Sequence, residues 1–120
     1  MKSIAIFGCG VAGKRAWSQL SRAYKVVNFL DNDRRKQGTR VAGIHVVDPT
    51  KYDYKPIDHV FVASMYLDEI LVQLLELGVS SSKIEYVGPE ILTKEFQGTN
   101  ANLFHKALYL PLRLLRATWK

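Results

Sequence analysis

The chain has little of what marks a secreted, membrane-spanning or metal-bound protein. It contains one cysteine, Cys9, so no disulfide can form within it and nothing calls for an oxidising compartment. Its three histidines, His45, His59 and His105, stand far apart without companion cysteines, so no metal is expected. His45 and His59 lie in strand patterns and read as core or edge residues. No apolar run approaches the roughly 20 residues that cross a bilayer, and the N-terminus enters a strand pattern without the layout of a signal peptide. A cytoplasmic location is the expectation. Internal repeats and low-complexity segments are missing too. So is a Tyr-x-x-x-Lys pair, the proton-transfer device of short-chain dehydrogenases and related epimerases: four positions after Tyr52, Tyr54 and Tyr66 stand Pro56, Asp58 and Ile70.

At 120 residues the chain suits one core, and is short for a nucleotide domain plus a substrate domain. The net charge of +6 is unevenly spread. Residues 101–120 hold Lys106, Arg113, Arg116 and Lys120 and no acid, so the basic balance belongs mainly to the tail. The remainder gives little reason to expect nucleic-acid binding.

What the chain does have stands in its first 33 residues. Ile4-Ala5-Ile6-Phe7 is a short apolar run of strand type, followed at once by Gly8-Cys9-Gly10-Val11-Ala12-Gly13 and a helical stretch over residues 11–22. Val26-Val27-Asn28-Phe29-Leu30 forms a second apolar run with Asp31 at its end, eighteen positions past Gly13. A G-x-G-x-x-G between a strand and a helix, with an acid at that distance, is a dinucleotide-binding pattern. Gly8 permits the tight turn, Gly10 lets a pyrophosphate reach the backbone, and Gly13 lets helix and strand pack closely. The helix start offers unpaired N–H groups and a partial positive charge. Asp31 can accept from a ribose hydroxyl and disfavours a 2′-phosphate. Cys9 reads as a small turn residue, although a helix N-terminus can also stabilise a thiolate.

Downstream, residues 32–40 are polar and read as a solvated loop. Val41-Ala42-Gly43-Ile44-His45-Val46-Val47 reads as a third strand, and Asp48-Pro49 as the start of a short helix reaching about Tyr54. His59-Val60-Phe61-Val62-Ala63 is a buried parallel strand by composition. Leu67, Ile70, Leu71, Leu74 and Leu75 predict a helix, with Asp68 and Glu69 in its first turn and Gly78 as its C-terminal cap. Lys83-Ile84-Glu85-Tyr86-Val87 predicts a fifth strand. The order specifies an α/β fold: one doubly wound, open, parallel, Rossmann-like sheet of about five strands. Ligands on such sheets sit beyond the carboxyl ends of the strands. That crevice gathers the glycine turn, Asp31, Asn32, Ala63 and Ser64, with Ser64 either lining it or capping the next helix.

Four segments together carry a family resemblance: residues 6–13, Asn28-Phe29-Leu30-Asp31-Asn32-Asp33, residues 41–49, and Val60-Phe61-Val62-Ala63-Ser64. The combination resembles the nucleotide-binding, CoA-binding-like domain that precedes the catalytic part of CapD-like nucleotide-sugar 4,6-dehydratases, over about residues 2–88. The resemblance implies that Gly8, Cys9, Gly10, Val11, Ala12 and Gly13 hold phosphate, that Asp31 and Asn32 face a ribose, and that Ala63 and Ser64 line the cleft. It implies NAD or a nucleotide sugar as ligand, and a place in bacterial surface-polysaccharide or nucleotide-sugar biosynthesis as an accessory module. Two alternatives stay open: a nucleotide-sugar oxidoreductase completed by a partner or second subunit, and a regulatory NAD-sensing domain.

The expected division is a nucleotide-binding domain over residues 1–98 and a basic amphipathic helical tail over residues 99–120. Leu103, Phe104, Ala107, Leu108, Leu112, Leu115 and Trp119 can form its apolar face. Such a helix can pack on its own domain or a second copy, dock a glycan-biosynthesis partner, or lie on the inner face of the membrane.

Overall fold

The computed structural model describes residues 1–88. The division at residue 98 and the helical tail both lie outside them.

Ser3–Phe7 forms β1, whose alternation sends Ile4 and Ile6 to one face of the sheet and Ala5 and Phe7 to the other. Ile4, Ala5 and Ile6 are fully buried, and an isoleucine so enclosed contributes about 1.5–3 kcal/mol. Helix α1 (Val11–Leu20) covers the Ile4–Ile6 face through Ala16, Trp17 and Leu20. β2 (Lys25–Leu30) then pairs parallel with β1. The strand predicted over residues 41–47 is in fact two. β3 (Arg40–Val41) and β4 (Ile44–Val47) form an antiparallel hairpin. Ala42 and Gly43 between them have φ of 52° and 77°, the positive pair that a type I′ turn needs and a continuous strand cannot hold. Among the described residues the sheet therefore has six strands, in the order β3-β4-β2-β1-β5-β6.

No helix follows Asp48-Pro49. The Asp48 carboxylate accepts from the Thr50 N–H and hydroxyl, which closes a turn, and the Tyr54 hydroxyl donates to the Pro49 carbonyl. Tyr52 and Tyr54 pack edge to face and cover the sheet where a crossover helix would lie. β5 (His59–Val62) pairs parallel with β1 on its free side. Helix α2 (Leu67–Glu76) buries Ile70 and Leu74 against the Ala5–Phe7 face. It ends as its sequence predicts: Gly78 has φ 87°, and the N–H groups of Gly78 and Val79 reach the carbonyls of Leu75 and Leu74. A short 3-10 turn (Ser81–Lys83) leads into β6 (Ile84–Tyr86), which pairs parallel with β5.

His45 is exposed on β4, while His59 packs its ring on Tyr24 and Phe61 with its Nδ1 buried and without a hydrogen bond. No helix among the described residues is long and apolar enough to cross a membrane. The chain leaves β1 toward β2 on one side and returns to β5 on the other. The gap between β1 and β5 is therefore where connections on opposite faces diverge and a crevice opens.

Candidate functional site

The glycine turn is built by exclusion. Gly8 has φ 110°, and a Cβ there would sit 2.5 Å from the Ala63 carbonyl oxygen. A Cβ on Gly13 would collide with the Gly8 carbonyl oxygen. Both glycines are thus required by the fold itself. Gly10 is different: a Cβ there would meet nothing nearer than the Lys36 Nζ at 3.9 Å. Space is left open above the backbone where α1 begins, and Lys36 is the cation that faces it. A side-chain-free cradle at a helix N-terminus fits a phosphate group.

Asp31 ties the end of β2 to this turn. Its Oδ2 accepts from the Cys9 N–H and from the Cys9 thiol, both at 3.2 Å, and its Oδ1 accepts from the Asp33 N–H at 2.9 Å. A carboxylate has about four acceptor positions, so capacity for a further donor remains. The Cys9 thiol is pushed up to about 11 from 9.0, first by burial and then by the hydrogen bond and charge of Asp31; Lys36 and Lys14 pull weakly the other way. Cys9 is therefore a buried turn residue whose thiol donates to Asp31, and both its burial and that contact oppose the thiolate that a helix N-terminus can favour.

Beyond Asp31, the Asp33 side chain accepts from the Arg35 backbone and guanidinium, and the Lys36 N–H reaches the Asp33 carbonyl. This turn carries Lys36 over Gly10. Its residues looked like plain solvated loop in the sequence, because only the folded turn brings residue 36 back to residue 10.

A cavity of about 260 Å³ opens at the strand ends, lined by Phe7, Gly8, Asp31, Asn32, Ser64, Tyr66, Glu69, Ile70 and Gln73. Of the residues singled out in the sequence, Gly8, Asp31, Asn32 and Ser64 meet here. Cys9, Gly10, Val11, Ala12 and Gly13 stand outside it, where the turn rises into α1. Ala63 is buried and backs Gly8 rather than lining the space. Ser64 lines the cavity and does not cap α2: the N-cap is Tyr66, without a side-chain cap hydrogen bond, and the Ser64 Oγ accepts instead from the Tyr66 N–H at 3.2 Å, closing the turn before the helix. Asn32 exchanges two hydrogen bonds with Gln73, at 2.8 and 2.9 Å. Tyr66, Glu69, Ile70 and Gln73 do not stand out as site residues in the sequence, where Ile70 counts only toward the apolar stripe of α2 and Glu69 only toward its first turn. Their spacing of i, i+3, i+4 and i+7 was the available signal. A second hollow, about 540 Å³, lies under residues 48–53 beside Asn28 and His45, away from the glycine turn.

These features define a Rossmann-type α/β domain. Residues 1–85 match the family described as C2185-like, N-terminal, and the chain belongs to that family. The match supports the Rossmann-type domain that the motifs suggest and does not extend to the CapD-like family they resemble. No curated protein matches the chain. Among solved structures, it is similar to UDP-D-quinovosamine 4-dehydrogenase from Vibrio fischeri, with 24% identity and a TM-score of 0.53 over 71% of this chain and 75% of that one. It is also similar to RSP, a Rex-family repressor, with 15% identity and a TM-score of 0.58 over 94% of this chain. RSP in complex with β-NADH aligns at 17% identity and a TM-score of 0.56, over 89% of this chain. The chain spans 64% of the RSP chain in both cases. At these identities the likeness is one of fold.

Proposed function

We propose that residues 1–88 form a nucleotide-binding module whose ligand carries a diphosphate and a ribose with free hydroxyls, either NAD or a nucleotide sugar. The observation that carries this reading is the contrast among the three glycines. Gly8 and Gly13 are demanded by packing, whereas Gly10 is free of packing and leaves its backbone open beside Lys36. The backbone of Cys9, Val11 and Ala12 would complete the phosphate cradle. Asp31 would accept from the ribose, with Asn32 and Ser64 beside it and Ala63 supporting the turn. A bound nicotinamide cofactor would supply hydride chemistry; this chain's residues would bind and orient it.

We place the module in bacterial surface-polysaccharide or nucleotide-sugar biosynthesis, as an accessory domain rather than a complete enzyme. The motif resemblance and the similarity to a UDP-sugar dehydrogenase support that placement, and the missing Tyr-x-x-x-Lys pair supports the accessory role. A regulatory NAD-sensing role is the second reading, favoured by the extent of the alignment with RSP, 94% of this chain.

The test is a thermal-shift screen of the full chain with NAD, NADH, NADP, coenzyme A, UDP and UDP-N-acetylglucosamine. A ligand at about 100 times its dissociation constant adds about 2.7 kcal/mol, a rise of several degrees for a domain of this size. The shift should vanish in Asp31→Ala and in Gly10→Ala. A marked preference for NADH over NAD, or the reverse, would favour the sensing role. No shift with any ligand would overturn the nucleotide reading.

A further inference from the structure

Asp31 lines the cavity with most of its acceptor capacity already in use. Its main chain is pinned on both sides, the N–H donating to the Val47 carbonyl and the carbonyl accepting from the Gln37 side-chain amide. Its side chain carries three donors. Oδ2 takes both the N–H and the thiol of Cys9, each at 3.2 Å, and Oδ1 takes the Asp33 N–H at 2.9 Å. With about two acceptor positions on each oxygen, Oδ2 is filled and one position is left, on Oδ1. A ribose presents two adjacent hydroxyls, which can bridge a carboxylate only where each oxygen has a position free. Here one hydroxyl can be taken and not both.

Two of the three donors are backbone N–H groups, which a change of side chain leaves in place. The third is the Cys9 side chain, and it is what fills Oδ2. A thiol is a weak donor, so its hydrogen bond alone would yield to a ligand hydroxyl. The sulfur itself does not yield. Cys9 is 4% exposed and belongs to the core cluster of Ile4, Ile6, Ala16 and Phe29, so it stays against Oδ2 and keeps a second ligand oxygen away by bulk. We infer that Cys9 is a positioning residue that sets specificity: it restricts Asp31 to a single ribose hydroxyl, and the site accepts a nucleoside diphosphate whose sugar lacks the other. The inference rests on the diphosphate–ribose reading above and deepens it. The ligand class extends to deoxynucleotides without the hydroxyl that Asp31 does not hold.

Isothermal titration of the full chain with ADP, 2′-deoxy-ADP and 3′-deoxy-ADP, and with the same three diphosphates of uridine, reads the sugar apart from the base. One deoxy analogue should bind within about threefold of its ribonucleotide and the other should lose about tenfold, since a hydrogen bond to a charged group is of the stronger kind. In Cys9→Ala a position on Oδ2 comes free, so the ribonucleotide should tighten and the tolerated analogue should fall about tenfold behind it. Cys9→Ser restores a side-chain donor and should return the parent pattern. Lost packing in Cys9→Ala would weaken all three nucleotides together and leave their ratios alone. Comparable losses for both analogues in the parent, or ratios unmoved in Cys9→Ala, would overturn the role given to Cys9 and leave the diphosphate reading standing. No loss for either analogue would take the ribose contact away from Asp31, and this inference with it. Binding of no nucleotide in either series would overturn the diphosphate–ribose reading as well.

Discussion

The Gly8 carbonyl oxygen fills the space that a Cβ on Gly13 would need, so the turn leaving β1 and the first turn of α1 touch backbone to backbone. Gly13→Ala must therefore push α1 off the sheet or distort the turn. It should cost several kcal/mol, as overpacking against rigid backbone does, and lower the yield of folded protein. Gly10→Ala meets open space at φ −79° and should melt within a degree or two of the parent. Parallel thermal melts check the pair. If Gly10→Ala were the destabilised one, the division into packing glycines and a ligand glycine would be wrong.

Much of this domain was legible because its signals are local. The glycine turn, the acid at position 31, the stripe over Leu67–Glu76 and the Gly78 cap each sit within one element and its flanks. What escaped depended on contacts between elements or on unmarked backbone. Ala42 takes a left-handed conformation that its residue type does not announce, so two strands read as one. Asp48-Pro49 looks like a helix start, yet Thr50 captures the Asp48 carboxylate and turns the chain first. Of the candidate site, the ends of β1, β2 and β5 were readable. The α2 side was hidden, because Asn32 and Gln73 are joined only by the fold.

Asn32 and Gln73 hold β2 to α2 by two side-chain hydrogen bonds on the surface. Net contributions there are modest, so each alanine variant should cost about 0.5–1 kcal/mol. In a double-mutant cycle by urea denaturation, the double variant should lose about as much as either single one. Full additivity would show that the two amides do not act as a pair.

Burial and the Asp31 carboxylate push the Cys9 thiol up to about 11 in the folded protein, against 9.0 as the ordinary value. The native state therefore binds more protons than the unfolded chain between those values, and stability from this group falls as pH rises from about 9 to about 11. Below pH 9 its contribution is fully present. Unfolding midpoints at pH 8 and pH 10.5 should show a smaller decline in Cys9→Ala than in the parent. Alkylation at pH 8 should be at least about tenfold slower in the native protein than in urea, from the depressed thiolate fraction alone. Rapid native alkylation would contradict the burial and the Asp31 contact together.

The hairpin between β3 and β4 holds the one described residue other than glycine with positive φ, Ala42 at 52°. A methyl side chain makes that conformation costly, whereas asparagine tolerates it, and Asn-Gly is a favoured pair for a type I′ turn. Ala42→Asn should therefore stabilise the domain by about 0.5–1 kcal/mol, a few degrees in melting temperature. Ala42→Val should destabilise it, because a β-branched side chain is excluded from this region. Gly43→Ala, at φ 77° with open space around it, isolates the backbone cost from any clash. Because the turn lies at the sheet edge, away from the glycine turn and the cavity, ligand affinity should be the same in all three. A set of melts in which Asn and Val behave alike would mean that the turn relaxes out of the left-handed region, and the sheet would then lose the register Val41 to Ile44 that closes its edge.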